Sequence, residues 1–496
     1  MAAQLTAQSV QVAILGAGFS GIGMAVRLLQ AGVDDIVVIE RGTQVGGTWR
    51  DNTYPGAACD IPSDLYSFSF APNPDWTRVF PPQGEILEYL RGVADRFGVT
   101  PKIRFGAELE RADWDDKART WKLAVRNGPG SGEGGPVGEV RARVFVSASG
   151  PFVDPTWPDI PGLDGFTGAR FHTARWDHDV SLVGKRVAVI GTGASAIQLV
   201  PEVRKVAAHV DVFQRSAPWI MPRLDRRTSR FRRAAFRRFP ALQRFSRGFT
   251  FRSYELRWPV FANRAVGAVG GFGLGLLRRL AVRDADLGRR TTPHYRVGCK
   301  RILISDEWYP ALKAANVDLV TDAIARIDGS DVVTADGTRH AVDVLICATG
   351  FAVTAPVIAH RIYGRRGMSL AETWAPHASA LRGTAVAGFP NLFQLLGPNT
   401  TLAHNSMIGM IEAQIDYVLQ AVQKLSPGEI IEAKPEAQAA YNAAIQDAMP
   451  GVVWSTGGCA SYYVDAAGRN TAAWPHGAAR FARELRRFDE SEYVRA

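Results

Sequence analysis

Twice in its 496 residues the chain runs a short apolar segment straight into a glycine-rich turn and an apolar helix, and few folds accept that order. In the first instance residues 12–15, Val-Ala-Ile-Leu, suit a buried parallel strand. The turn Gly16-Ala17-Gly18-Phe19-Ser20-Gly21 follows, then a helical run over 22–30, then an apolar run over 36–39 that ends at Glu40. Glycines in such a turn let backbone N–H groups approach a pyrophosphate, and the helix N-terminus favours its negative charge. Glu40 would accept a hydrogen bond from a ribose hydroxyl. The combination predicts a unit for a dinucleotide with free ribose hydroxyls, such as FAD.

The unit recurs. Residues 186–190 repeat the strand, Gly191-Thr192-Gly193-Ala194-Ser195-Ala196 the turn, and 210–213 the second strand. Residues 197–206 read as helix, with Pro201 expected to kink or restart it. Ala196 replaces a third glycine, a change this fold tolerates. No acid ends the second strand; Gln214-Arg215-Ser216 stands there. An acid would repel a 2′-phosphate and an arginine would bind it, so this unit is predicted to prefer NADPH. Arg215 also reads as an ordinary surface arginine. Residues 144–150 and 343–351 are apolar runs that meet small-residue turns, and each is predicted to close its unit.

The expected fold class is therefore α/β, with two Rossmann-like dinucleotide-binding domains and a helical insertion. Residues 1–150 and 384–496 are assigned to the FAD-binding domain and 151–221 and 297–383 to the NADPH-binding domain. Residues 222–296 form a basic, mostly helical insertion.

The insertion accounts for the charge. The whole chain carries +10, yet residues 222–290 hold 18 Arg, no Lys and 4 acids, a net +14, against −4 elsewhere. Phe231, Phe236, Phe239, Leu242 and Phe245 recur among the arginines at helical spacing. Two readings stay open: a solvated insertion with an arginine-rich outer face, or a helix lying on an anionic membrane. No zinc-finger spacing or aromatic RNA-reading signature accompanies the arginines, so nucleic acid is not the expected partner. Residues 265–277 are apolar but short for a span, and five glycines weaken any helix there, so a buried or interfacial segment is expected. The four cysteines, 59, 299, 347 and 459, form no zinc or CxxC pattern. Residues 1–10 show no secretory signal. A cytoplasmic, reduced protein is the expectation.

Between the two units sits Phe166-x-Gly168-x-x-x-His172-x-x-x-Trp176-Asp177. This resembles the FxGxxxHxxxW(P/D) fingerprint of type I Baeyer–Villiger monooxygenases, and the resemblance extends over most of the chain. Gly46-Gly47-Thr48-Trp49 and residues 54–60, from Tyr54 to Asp60, look like the family's segment beside the flavin ring. Gly298-Cys299-Lys300-Arg301 resembles its G-x-K-R segment, and 388–391 with 397–399 its C-terminal FAD segment. Residues 459–470 resemble a loop that covers the nicotinamide, with Tyr462 where the family often has Trp.

The resemblance implies a reaction. NADPH reduces FAD, O2 is trapped as a C4a-peroxyflavin, and a ketone becomes an ester or lactone. Arg301 would hold the peroxide anion, Asp60 would hold Arg301, and Lys300 with Arg215 and Ser216 would take the 2′-phosphate. Gly47, Thr48, Trp49, Ser195 and Tyr462 would contact cofactor, and His172 would serve an interdomain linker. The substrate would be a small, hydrophobic ketone. On residues alone, Asp60 also reads as a turn acid and Arg301 as half of a surface pair. Two rival functions remain: a flavin-containing monooxygenase for soft nitrogen or sulfur, and a membrane-surface or partner-binding protein that keeps a flavin fold. No metal is expected.

Overall fold

Each glycine-rich turn lies against the strand that closes its own unit, and that contact explains the small residues on both sides. A computed structural model describes residues 8–128 and 137–496. Gly16 has φ +100°, and a Cβ there would stand 2.8 Å from the Ala148 carbonyl oxygen. Gly191 has φ +112°, and a Cβ there would stand 2.6 Å from the Ala348 carbonyl oxygen. Only glycine meets both the conformation and the clearance.

The first sheet has eight strands. Gln8–Leu15 pairs in parallel with Ile36–Ile39 on one side and Val137–Ser147 on the other. Leu392–Gln394 returns from the C-terminal part to pair with Val137–Ser147. The second sheet has five parallel strands in the order Val317–Val320, His209–Phe213, Arg186–Ile190, Val344–Cys347, Ala169–His172. Val12, Ala13, Ile14 and Val187, Ala188, Val189 are fully buried, as strands covered on both faces must be. Helix Phe19–Gln30 follows the first turn and Ala194–Val203 the second. Pro201 does not restart the second helix, which runs on through it with the proline buried. A Cβ on Gly21 would lie 1.8 Å from the Gly16 carbonyl oxygen, whereas the second turn accommodates Ala196.

Residues 222–290 fold into the helices Arg230–Arg238, Pro240–Glu255, Trp258–Ala262, Arg264–Val282 and Ala285–Arg290. Two sequence expectations are corrected here. The glycine-rich stretch is a continuous helix despite the poor propensity of its glycines. A Cβ on Gly267 would lie 2.9 Å from the Val260 carbonyl oxygen, whereas Gly273 and Gly275 have open space beside them. The outer face is also not simply arginine-rich. Arg232 turns inward to Asp64 at 2.6 Å, and Arg247 donates to the Ser67 carbonyl at 2.8 Å, while Phe231, Phe245 and Phe249 are 88%, 71% and 67% exposed.

The cysteines give a third correction. Cys299 and Cys459 form a disulfide, while Cys59 and Cys347 are free and buried. Sequence spacing could not reveal a bridge between positions 160 residues apart. Under denaturing conditions a thiol reagent is expected to titrate two cysteines without reductant and four after reduction; four in both would remove the bridge.

Candidate functional site

The carboxyl ends of the two sheets face one cavity of about 1380 Å³. That exceeds the roughly 300–1,000 Å³ of a pocket for one small ligand. Gly16, Gly18, Glu40, Gly47, Thr48, Trp49 and Asp60 line it from the first unit, and Gly191, Gly193, Ser195, Arg215 and Ser216 from the second. Lys300, Arg301 and Tyr462 complete it. Gly21 is absent from the lining, because it serves helix packing. The fingerprint residues Phe166, Gly168, His172, Trp176 and Asp177 are absent too.

The two helices that follow the glycine-rich turns lack a side-chain cap, with Gly18 and Gly193 at the cap positions. Their first-turn N–H groups are thus left to a ligand. A Cβ on Gly18 would meet the Gly47 backbone at 3.6 Å, and one on Gly193 would meet nothing within 4 Å. Side chains there would fill a cradle that is now open. Glu40 is buried and accepts from the Ala17 N–H at 2.8 Å, the Gly42 N–H at 2.7 Å and Arg50 Nη1 at 2.6 Å. Arg50 was not foreseen; no motif marks it.

Arg301 meets Asp60 as a two-pronged fork, Nε to Oδ2 at 2.6 Å and Nη2 to Oδ1 at 2.7 Å. Burial disfavours both charges, but each partner more than offsets it: Arg301 is held above its ordinary pKa and Asp60 below its own. Neither the turn-acid nor the surface-pair reading describes them. Asp60 is positioned by a loop laid on the second unit, where Gln198 Nε2 donates to the Ala58 carbonyl at 2.9 Å and Tyr54 OH donates to Gln198 Oε1 at 3.0 Å. Gln198 also escaped the sequence reading, since it lies in an unremarked helix position.

Lys300 Nζ donates to Ser216 Oγ at 2.7 Å. Burial and the charge of Arg215 hold Lys300 below its usual pKa. Among the described residues no carboxylate pairs with Lys300 or Arg215, so the two cations converge without a counter-charge. Tyr462 OH donates to Tyr463 OH at 3.1 Å, and Trp49 Nε1 donates to Tyr66 OH at 3.0 Å. Asn405 and Met407 bring the start of helix Met407–Lys424 to the same cavity.

The fingerprint builds the strap between the sheets instead. A Cβ on Gly168 would lie 2.3 Å from the Asp343 carbonyl oxygen, and Phe171 meets Trp176 edge-on at 4.9 Å. Phe166 packs on the outer core of the second sheet, and Asp177 accepts from the Asp179 N–H at 3.0 Å. His172 is fully buried; its Nδ1 accepts from the Ala174 N–H at 3.1 Å. Burial and Arg175 lower its pKa to about 4.

The flavin-binding monooxygenase-like family model matches residues 9–252. A Baeyer–Villiger monooxygenase of Streptomyces coelicolor is 46% identical, over 98% of this chain and 92% of its own. Among solved structures, OTEMO in complex with FAD and NADP is 25% identical with a TM-score of 0.88, covering 99% of this chain and 100% of that one. An oxidised steroid monooxygenase bound to NADP is 30% identical with a TM-score of 0.85, covering 98% and 99%.

His172 yields a pH prediction. Its folded pKa of about 4 lies below the ordinary 6.5, so the unfolded chain binds the proton more readily. Its contribution is intact above pH 6.5 and lost as pH falls toward 4, roughly 3 kcal/mol in all. Urea midpoints of His172→Gln should fall less over that window than those of the natural protein.

Proposed function

The chain belongs to the Baeyer–Villiger monooxygenase family, and on that premise we infer that it inserts one oxygen atom of O2 beside a ketone carbonyl. The balance is ketone, O2, NADPH and a proton giving ester or lactone, NADP+ and water. The Arg301–Asp60 fork in a cavity shared by both glycine-rich turns carries this reading.

The uncapped helix at Gly18, with Gly16, Glu40, Gly47, Thr48 and Trp49, would hold FAD. The helix at Gly193, with Gly191 and Ser195, would hold NADPH, and Tyr462 would close over it. The converging Arg215, Ser216 and Lys300 fit a 2′-phosphate, because a dianion relieves their mutual repulsion. Bound there, NADPH supplies hydride and FAD supplies O2 activation. Arg301 keeps its proton throughout and presents a fixed cation where negative charge develops on oxygen. Asp60 fixes the plane of that guanidinium. His172, Gly168, Phe166, Trp176 and Asp177 act at a distance, by shaping the strap between the sheets.

We assign residues 1–150 and 384–496 to the FAD unit, 151–221 and 297–383 to the NADPH unit, and 222–296 to the insertion. The substrate class is a hydrophobic ketone, supported by Tyr66, Ile61, Tyr295, Leu396 and Tyr462 in the cavity wall. Peripheral membrane contact through 222–290 belongs to the same proposal, supported by the apolar side chains those residues expose. A cytoplasmic location suits a consumer of NADPH, and the Cys299–Cys459 bridge runs against the reduced state usual there.

The test is a panel of linear, cyclic and aryl ketones, with NADPH consumption and ester formation measured together. Sulfoxide from thioethers with no ester from any ketone would return the chain to the nitrogen- and sulfur-oxidising reading. A colourless protein that releases no flavin on heating would favour a non-catalytic one. Arg301→Ala should retain FAD and its reduction by NADPH yet form no ester; ester at the natural rate refutes its role. Arg215→Ala should raise KM for NADPH by about tenfold and leave that for NADH nearly unchanged.

A further inference from the structure

We propose that the insertion docks this protein on an anionic lipid surface through the outward stripes of helices Pro240–Glu255 and Arg264–Val282. The proposal deepens the reading of 222–290 as a membrane contact, and rests on it, by naming the lipid charge and the side chains that enter.

Helices of a water-soluble protein turn apolar residues inward and charges outward. These two also turn large apolar side chains outward, beside the exposed Arg244, Arg252, Arg264 and Arg279. Along Pro240–Glu255 the residues Leu242, Phe245 and Phe249 fall on one side, at i, i+3 and i+7, and all are exposed. The opposite side carries Gln243, which donates to the Asn73 carbonyl at 2.7 Å, and the inward Arg247. Along Arg264–Val282 the stripe is Val269, Phe272, Leu276 and Leu280, again exposed. Its far side holds Arg278, which is buried and donates to the Gly288 carbonyl at 2.5 Å.

The concentration is specific to this segment. Of the 22 large apolar side chains exposed among the described residues, 13 lie within 222–290, a span of 69 residues. Scattered exposed hydrophobics need no partner, but a clustered set does.

Charge selects the partner. The segment carries +14, of which Asp64, Asp75 and Glu412 offset three by pairing with Arg232, Arg237 and Arg247. A second copy would set one cationic segment against another, whereas a bilayer with acidic headgroups offers both an apolar layer and opposite charge. Arg264–Val282 is long and apolar enough to cross a bilayer. It would lie along the surface instead, because its inner side is fixed by the buried Arg278, which is held by the Gly288 carbonyl.

The docked face backs onto the cavity. Trp219, whose ring edge lies 3.8 Å from where a Cβ on Gly271 would stand, donates through Nε1 to the Tyr295 carbonyl at 2.9 Å, and Tyr295 lines the cavity. Glu255, at the end of its helix, accepts from Asn405 Nδ2 at 2.9 Å, and Asn405 lines the cavity too. An apolar ketone dissolved in lipid would therefore meet the wall nearest the site.

The test uses the FAD-loaded full chain and sedimentation with vesicles of phosphatidylcholine alone or mixed with phosphatidylglycerol. Binding is expected to the mixed vesicles at low salt and to weaken at high salt. The double variant Phe249→Glu, Phe272→Glu should lose at least about tenfold in vesicle affinity. It should keep its flavin and its turnover of a water-soluble ketone. Equal binding to both vesicle types removes the anionic partner but leaves membrane contact standing. Unchanged binding by the variant moves the contact to another face. No binding at all, or a dimer that the variant dissociates, overturns the proposal. Ester formation without vesicles reports on the catalytic reading separately, so either can fail alone.

Discussion

Drawing a guanidinium and a carboxylate out of water is costly for each alone and far less so for the two together, and the rest of this site is arranged around the fork in which Arg301 meets Asp60. Arg301 follows the second sheet's nucleotide turn in the chain, and Asp60 follows the first's. Their fork therefore forms only when the two units are docked. Gln198 holds the docking on one side, by gripping the loop that carries Asp60. In the same cavity Lys300 and Arg215 have no carboxylate partner among the described residues and so stay available to an anion. The cavity thus sets a compensated cation, Arg301, apart from an uncompensated pair.

Much of this was legible in the sequence, for a physical reason. A nucleotide turn needs glycine at fixed positions and a small residue opposite, so Gly16 with Ala148 and Gly191 with Ala348 leave marks in the residue types themselves. The strands Ile36–Ile39 and Arg186–Ile190 were read to the residue, because the continuous burial of Ile36–Ile39 and of 187–190 demands continuous apolar sequence. Asp60 and Arg301 were named as candidates from a resemblance, yet their pairing depends on a contact 241 residues apart. Gln198 and Arg50 left no mark, since any polar residue suits an ordinary helix position. What they do is set by what the fold brings to them.

The insertion shows the opposite limit. Helical spacing of its aromatic residues was visible, but spacing alone does not say which side of a helix is inside. Arg232 and Arg247 are taken up by Asp64 and by backbone carbonyls of the first unit, which leaves the phenylalanines facing out. Likewise the glycines of Arg264–Val282 argue against a helix, and only Gly267 has a neighbour, the Val260 carbonyl, that leaves no room for a side chain.

The Cys299–Cys459 bridge has a mechanical corollary. Cys299 directly precedes Lys300 and Arg301, and Cys459 stands at the start of the segment that brings Tyr462 to the cavity wall. The two loops are thus one covalent linkage, and a displacement of either is passed to the other. The aromatic wall and the fixed cation ride as one mechanical body.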